Sequence, residues 1–161
     1  MTQTPADRAR SAITAARIDF ETTTHGPVSS LEEAATARGL TPDRVLKSLV
    51  VRRADDDYLF VLVPGGRAIS WPKLRALLSV NRLSMPSAEE ALAVTGYARG
   101  TITPFGSSRP WPVIADAAIP DGPVSIGGGA HGTAFTVDCA ELMRAFDAQV
   151  ADVTDIEPIR S

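Results

Sequence analysis

The apolar positions of the chain recur with two different periods, which predicts a protein built from both helices and strands. Apolar residues at helical spacing, together with capping residues, predict helices at residues 5–17, 31–38, 71–78, 88–96 and 140–148. Runs rich in β-branched and aromatic residues predict extended segments at 18–24, 45–53, 58–63, 81–85, 113–116, 124–126 and 133–137. These strands outnumber what an alternating βαβ chain would contain, and hairpin-length links join several of them. The pattern therefore favours an α+β fold with a mixed, mostly antiparallel sheet flanked by helices.

Polar signals at the ends of the helices support these boundaries. Ser30 with Glu33, and Ser87 with Glu90, have the spacing of capping boxes. Gly39 and Gly96 stand where the two helices would end. The sequence has no internal repeat and no low-complexity tract, so we expect residues 1–161 to form a single domain that includes the first helix.

Length and composition exclude several classes of protein. The 161 residues are 44% hydrophobic and 22% charged, as in one soluble globular domain. No apolar run approaches the roughly 18 to 20 residues that span a bilayer, and the first residues lack the apolar core of a signal peptide. We therefore expect a cytoplasmic protein without membrane contact. One cysteine and two histidines cannot form a disulfide or the usual zinc sites, so we expect no metal or other cofactor.

The formal net charge of −3 conceals an uneven distribution of charge along the chain. Residues 44–109 contain ten basic and five acidic side chains, which is 10 − 5 = +5, whereas the flanks are acidic. This segment would attract an anionic partner if its cations converge in space. The alternative is an ordinary solvated surface rich in arginine.

Lys47 is the most unusual residue of the sequence, because it is one of only two lysines and interrupts an apolar strand. Strand alternation places it on one face with Leu49 and Val51, while Leu46 and Val50 take the other face. An ammonium group among apolar neighbours is costly unless it meets a partner or opens into a polar cleft. A lysine at a strand edge that extends into water is the alternative.

Two glycine-rich segments could bring backbone close to a ligand. Residues 95–106 contain Gly96, Gly100 and Gly106, and backbone N–H groups of such a loop can bind carbonyl or phosphate oxygens. A plain connecting loop would have the same composition. Residues 127–132 match the GxGxxG spacing of dinucleotide sites, but a strand follows where that motif requires a helix. A tight hairpin with His131 exposed at its tip is the simpler interpretation.

Taken together, three segments of the chain resemble the YbaK and prolyl-tRNA editing-domain family. They are residues 45–50, 95–106 and 127–132, and residues 32–35 and 151–155 add to the likeness. The order and separations of the segments match as well. The resemblance extends from about residue 25 to about residue 155, and it implies the compact α+β fold of that family.

The resemblance implies a freestanding deacylase that hydrolyses the ester of a mischarged aminoacyl-tRNA. The family's lysine falls on Lys47, which would be the catalytic residue, and no cofactor would be needed. Its partners would be the acceptor end of the tRNA and, transiently, a synthetase, and the protein would be a monomer or weak dimer. The substrate-binding residues implied are Ser48, Gly100, Thr101, Thr103, Gly127, Gly128, Gly129 and His131.

The chemistry implied by this resemblance needs no protein nucleophile, because an aminoacyl ester is already activated. Orientation of the substrate and donors aimed at the carbonyl oxygen would suffice. Some relatives have Asn or Thr where this chain has Ser48, and Lys or Arg where it has Ala130 and His131. We expect a small substrate side chain such as Ala, Ser or Cys, since synthetases discriminate poorly among such residues. The tRNA could be that for proline.

Two other classes of function remain open from the sequence. In the first, the same cleft binds an aminoacyl group, a nucleotide or the tRNA end for regulation, without catalysis. In the second, the chain is a surface-interaction domain, although it has no exposed aromatic stripe and no heptad repeat. The lysine inside an apolar strand favours catalysis over both.

Overall fold

A computed structural model describes residues 3–157 of the chain. The helices are α1 (Pro5–Ala15), α2 (Leu31–Ala37), α3 (Trp71–Leu78), α4 (Ala88–Thr95) and α5 (Cys139–Phe146), with a 3-10 turn at Pro42–Arg44. The strands are β1 (Phe20–Thr24), β2 (Leu46–Ala54), β3 (Asp57–Pro64), β4 (Arg67–Ile69), β5 (Val113–Asp116), β6 (Pro123–Gly127), β7 (Thr133–Asp138), β8 (Gln149–Ala151) and β9 (Thr154–Ile156). No helix within this range is both long enough and apolar enough to cross a membrane.

The strands form a mixed, mostly antiparallel arrangement, as the sequence predicts. The order β2-β3-β5-β8 makes one sheet, in which β2 and β3 are an antiparallel hairpin and β5 and β8 are parallel additions. The order β1-β7-β6 makes a second, antiparallel sheet. A parallel bridge between Val45 and Ser125 joins the two at the start of β2. Strand β2 therefore has β3 on one side and, at its start, the middle of β6 on the other.

The apolar faces of β2 explain why this strand is buried between two layers. Leu46 and Val50 belong to a core cluster that includes α1, α5 and the antiparallel sheet. Leu49 and Val51 pack in a second cluster with α3 on the opposite face. The alternation read from the sequence is therefore confirmed, because successive side chains of a strand point to opposite faces.

Several local predictions differ from the structure. Residues 81–85 are not a strand; they form only a single bridge between Ser84 and Arg52. The first helix ends at Ala15 and not at residue 17, because Arg17 adopts a left-handed conformation. Strands β4, β8 and β9 escape prediction, since three residues are too short to display a period.

The two predicted capping boxes are only half formed. Ser30 and Ser87 each accept a hydrogen bond from the backbone N–H three residues on, at 3.1 Å. The two carboxylates do not accept a hydrogen bond from the backbone N–H of the cap residue. Glu33 accepts instead from the backbone N–H and hydroxyl of Ser29, and Glu90 accepts from the Tyr58 hydroxyl. A complete box occurs instead at Thr4 and Asp7, at the start of α1.

Candidate active site

Two glycine loops border the main cavity: residues 96–112, between α4 and β5, and residues 127–132, between β6 and β7. The cavity lies over strand β2, between these loops and the start of α4, and has a volume of about 530 Å³. A second cavity of about 520 Å³ lies beside it, toward His25 and His131. Arg38, Gly100 and Gly127 line both cavities, so the two adjoin at these residues. We refer to the pair as the cleft. Of the predicted site residues, those lining the cleft are Lys47, Ser48, Gly100, Thr101, Gly127 and His131, whereas Thr103, Gly128 and Gly129 do not line it.

Lys47 lies on the strand that lines the main cavity, and its ammonium group is held by two partners. Its Nζ donates to the carbonyl oxygen of Arg67 at 2.8 Å and to Glu157 Oε1 at 3.1 Å. The side chain is 40% exposed. An ammonium has three N–H donors, so one is left after these two contacts. The partners offset the cost of an ammonium on an apolar face, as the sequence required.

Ser48 follows on the opposite face of β2 and lines the main cavity. Its Oγ is buried and has no hydrogen-bond partner among the described residues. A buried hydroxyl without a partner costs free energy that a bound ligand would recover. Because the Oγ is shielded from solvent in this conformation, a substrate would reach it only after the Ser48 side chain turned toward the cavity.

The first glycine loop, residues 96–112, is an ordered segment that packs on the core and contacts the second loop. Gly100 has φ +86°, and a Cβ at this position would lie 3.2 Å from His131 Cε1. The Thr101 hydroxyl donates to the Ala98 carbonyl oxygen at 2.7 Å, and the buried Thr103 hydroxyl accepts from the backbone N–H of Phe105 at 3.3 Å. The two threonines thus bond within their own loop and shape it.

The second glycine loop connects β6 and β7 as the tight hairpin that the sequence predicts, with His131 exposed. Gly128 packs against Thr133, where a Cβ would come within 2.8 Å of the side chain. Gly129 has φ +88°, and a Cβ on it would lie 2.7 Å from the Pro5 carbonyl oxygen and 3.0 Å from the Tyr97 ring. These two glycines therefore permit close packing behind the cleft, where larger residues would collide.

Tyr97 supports both glycine loops from beneath, and the sequence does not single it out. It is fully buried, and its hydroxyl donates to the Phe105 carbonyl oxygen at 2.6 Å. Its ring lies against Gly129, and Arg8 of α1 stacks over the ring at 5.1 Å from the centroid. Burial raises the pKa of the Tyr97 phenol, so the hydroxyl remains a donor at neutral pH.

Arg38, at the end of α2, is the second site residue that sequence reasoning missed. Its Nη1 donates to the Oγ of the buried Ser125 at 3.1 Å, and its Nε donates to His25 Nε2 at 3.4 Å. His25 Nδ1 lies 2.9 Å from the Gly26 carbonyl oxygen and donates to it when Nε2 accepts from Arg38. Burial lowers the pKa of the Arg38 guanidinium. No periodicity or motif distinguishes this arginine from its neighbours.

The positive charge of the central segment is largely compensated by tertiary ion pairs. Six of its ten cations have a carboxylate within 4.0 Å, and three of these six use acidic residues from outside the segment. The six are Lys47, Arg52, Arg53, Arg67, Lys73 and Arg109. The excess of +5 is therefore not one continuous basic surface.

The described residues contain no group of three or more His, Cys, Asp and Glu side chains arranged to hold a metal ion. Cys139 is buried at the first position of α5, and burial raises the pKa of its thiol. A thiol in this setting is a poor nucleophile. The polar side chains that line the cleft are cations, serine and threonine hydroxyls and the rings of His25 and His131.

The fold and the cleft define a small α+β domain with a composite binding site bordered by two glycine loops. The chain belongs to the aminoacyl-tRNA editing domain family, whose model matches residues 25–145. This match includes Arg38, Lys47 and both glycine loops.

Similar proteins support the same assignment. The chain is similar to a proline–tRNA ligase of Bacillus licheniformis, with 32% identity over 96 residues, which are 59% of this chain and 17% of the ligase. A proline–tRNA ligase of Thermosipho melanesiensis is 36% identical over 96 residues, with the same coverage. A crystal structure described as a candidate trans-editing enzyme for prolyl tRNA synthetase superposes with a TM-score of 0.85, at 25% identity, covering 96% of this chain and 99% of that one.

Proposed function

We propose that this protein is a freestanding deacylase that hydrolyses the ester between a small amino acid and the 3′ end of a mischarged tRNA. The observation that carries the proposal is the cleft, in which Lys47, Ser48, Gly100 and Gly127 line one cavity of a chain that belongs to an editing family. Residues 1–161 would form a single editing domain that acts in the cytoplasm. The proposed amino acid is Ala, Ser or Cys, and tRNA for proline is the first candidate.

Lys47 is the proposed catalytic residue. The unused N–H of its ammonium would stabilise the negative charge that develops on the ester carbonyl oxygen. Glu157 and the Arg67 carbonyl would hold the ammonium in place during the reaction. A positioned water or a hydroxyl or thiol of the substrate would attack, so no protein nucleophile is required.

Ser48 and the glycine loops would position the substrate. The buried, unpartnered Ser48 hydroxyl would turn toward the cavity and bond a polar group of the aminoacyl end, and backbone near Gly100 and Gly127 would approach the substrate closely. Thr101 and Thr103 would keep the first loop in shape, while Gly128, Gly129 and His131 would do so for the second loop. Productive orientation accounts for a large part of the rate enhancement in reactions of this kind.

Support for a tRNA partner comes from the family and from relatives that are proline–tRNA ligases. The matched segment spans 17% of the length of those ligases. Transient association with a synthetase would deliver the mischarged tRNA. We propose a monomer or weak dimer.

The test is hydrolysis of a panel of tRNAs charged with Ala, Ser, Cys, Thr or Pro by the wild type and by Lys47→Ala. The chain offers a matched control in Lys73→Ala, because Lys73 is the other lysine, is 38% exposed and is paired with Asp152 and Asp155. We expect the wild type to release a small amino acid, Lys47→Ala to be at least about 100-fold slower and Lys73→Ala to retain activity.

The outcomes of this test separate the activity from the site. If the wild type releases no amino acid from any charged tRNA, the proposed activity is wrong. If the wild type is active and Lys47→Ala is equally active, the role of Lys47 is wrong. Circular dichroism of each variant establishes that any loss is not unfolding.

A further inference from the structure

Arg38 lies at the junction of the two cavities that make up the cleft. It lines both cavities together with Gly100 and Gly127, so a ligand that passes between the cavities must pass beside its guanidinium. The side chain is half-buried and reaches this point from the end of α2. Its location is therefore central to the cleft, although it is not among the site residues that the sequence predicts.

Arg38 is a half-buried cation of the cleft that lacks a carboxylate partner among the described residues. The Lys and Arg side chains that line the cleft are Arg38, Lys47 and Arg99. Lys47 is paired with Glu157, whereas Arg99 also has no carboxylate within 4.0 Å among residues 3–157 but is exposed to solvent, which weakens its hold on an anion. Arg38 has the Ser125 hydroxyl and the His25 ring, and within residues 3–157 no Asp or Glu oxygen lies within 4.0 Å of it. A partly desolvated guanidinium without a counter-ion is a strong site for an anion.

The hydrogen bonds of Arg38 fix the direction of its remaining donors. A guanidinium has five N–H donors in one plane, and the bonds to Ser125 and His25 use one on Nη1 and the one on Nε. Three donors remain, one on Nη1 and two on Nη2, all in the plane of the guanidinium. Donors on two nitrogens of one plane can bond two oxygens of a phosphate.

We propose that Arg38 binds the 5′-phosphate of the terminal adenosine and so sets the position of the aminoacyl ester in the cleft. This inference rests on the proposed function, since it assigns the part of the tRNA end that Arg38 would recognise. It also assigns different contacts to Lys47 and Arg38. Lys47, which is paired with Glu157, would contact the ester carbonyl, and Arg38 would contact the phosphate. Arg38 is in this view a binding and positioning residue.

The direct test compares binding of adenosine 5′-monophosphate, adenosine and inorganic phosphate by NMR titration of the labelled protein. We expect the wild type to bind the monophosphate about tenfold or more tightly than adenosine, which corresponds to one charge-assisted contact. Arg38→Gln should bind the two equally, and Arg38→Lys should retain part of the preference because it keeps the charge without the planar donors. Arg10→Gln, the same change on the exposed outer face of α1, should behave as wild type.

Hydrolysis supplies a second readout with two minimal substrates, aminoacyl-adenosine with and without the 5′-phosphate. Arg38→Gln should lower kcat/KM for the phosphorylated substrate to the level of the unphosphorylated one and leave the latter unchanged. Ser125→Ala, which removes only the hydroxyl that holds Nη1, should weaken the phosphate preference in part. This variant and Arg38→Lys keep the test valid if Arg38→Gln does not fold.

Several results would overturn the inference. They are an Arg38→Gln variant that still prefers the monophosphate, equal binding of monophosphate and adenosine by the wild type, or inorganic phosphate binding as tightly as the nucleotide. A wild type that shows the Arg38-dependent preference but hydrolyses no charged tRNA would support the binding site and refute the proposed hydrolysis. A wild type that hydrolyses charged tRNA but shows no preference for the monophosphate would support the proposed hydrolysis and refute the phosphate site at Arg38.

Discussion

Gly100 and His131, which belong to different loops, meet at the rim of the cleft. Gly100 has φ +86°, and a Cβ on it would lie 3.2 Å from His131 Cε1. Such a contact would be tighter than an ordinary van der Waals separation, so the lack of a side chain at residue 100 lets the two loops close on each other. The spacing of the loops, and hence the shape of the cleft between its two cavities, depends on this pair.

Replacing Gly100 with alanine should therefore damage both stability and hydrolysis. The left-handed backbone conformation disfavours a Cβ by about 1–2 kcal/mol, and the added methyl would push His131 away. We expect a lower free energy of unfolding by urea and at least a tenfold loss of kcat/KM on charged tRNA.

Gly122→Ala is the matched control for this change. Gly122 has φ +90° and only an ordinary contact at 3.5 Å with Arg44, on a turn between β5 and β6. It should lose similar stability and keep its activity. Equal losses of activity in the two variants would show that backbone strain alone explains the effect.

Ser48→Ala should weaken substrate binding without lowering the stability of the fold. Removing a buried hydroxyl without a partner should leave the free energy of unfolding unchanged or raise it by up to about 1 kcal/mol. The same variant should raise KM or lower kcat on charged tRNA, because the substrate loses a partner. Ser107→Ala removes the other buried hydroxyl without a partner in the described chain and should leave hydrolysis intact. Full activity of Ser48→Ala would contradict its binding role.

Tyr97→Phe should loosen both glycine loops. The Phe105 carbonyl would lose the donor that now lies 2.6 Å away, at a cost of about 1–3 kcal/mol in a buried site. We expect a lower melting temperature together with slower hydrolysis. Tyr58→Phe loses a bond to the partly exposed Glu90, which belongs to neither loop, and should have the smaller effect on stability and none on hydrolysis. Unchanged hydrolysis by Tyr97→Phe would mean that the loops do not need this support.

Glu33 should make the start of α2 sensitive to acid. Hydrogen bonds from the backbone and hydroxyl of Ser29 lower the pKa of the Glu33 carboxyl below its ordinary value of 4.5. A carboxyl whose pKa is lower in the folded state stabilises the protein at pH values above its pKa in the unfolded state. That contribution is lost as the pH falls through the pKa of the folded state. Glu33→Gln should therefore melt below wild type at pH 7, and the difference should shrink below about pH 4.5. Glu32→Gln, in the same turn, is the control, and a constant difference across this range would refute the assignment.

The local structure around the candidate site was predictable where its signal lies within a few residues. The interrupted strand at Lys47, the hairpin at residues 127–132 and the exposed tip at His131 follow from alternation and from turn chemistry over a few residues. Arg38 and Tyr97 were not predictable, because one lies in an unremarkable helix end and the other in an irregular loop. Their importance comes from neighbours that are distant in the sequence: Ser125 for Arg38, and Gly129 for Tyr97.

The sequence by itself determined the fold class, the two faces of β2 and the family resemblance that selected Lys47. Each of these depends on the spacing of apolar side chains or on short motifs, and both are properties of residues close together in the sequence. Only the tertiary structure decided that Glu157 pairs with Lys47, that flanking acids pair with central cations, and that Arg38 has Ser125 and His25 as partners and no carboxylate among the described residues. Those features arise from the path of the chain, because charges far apart in sequence interact only after packing brings them within a few ångströms.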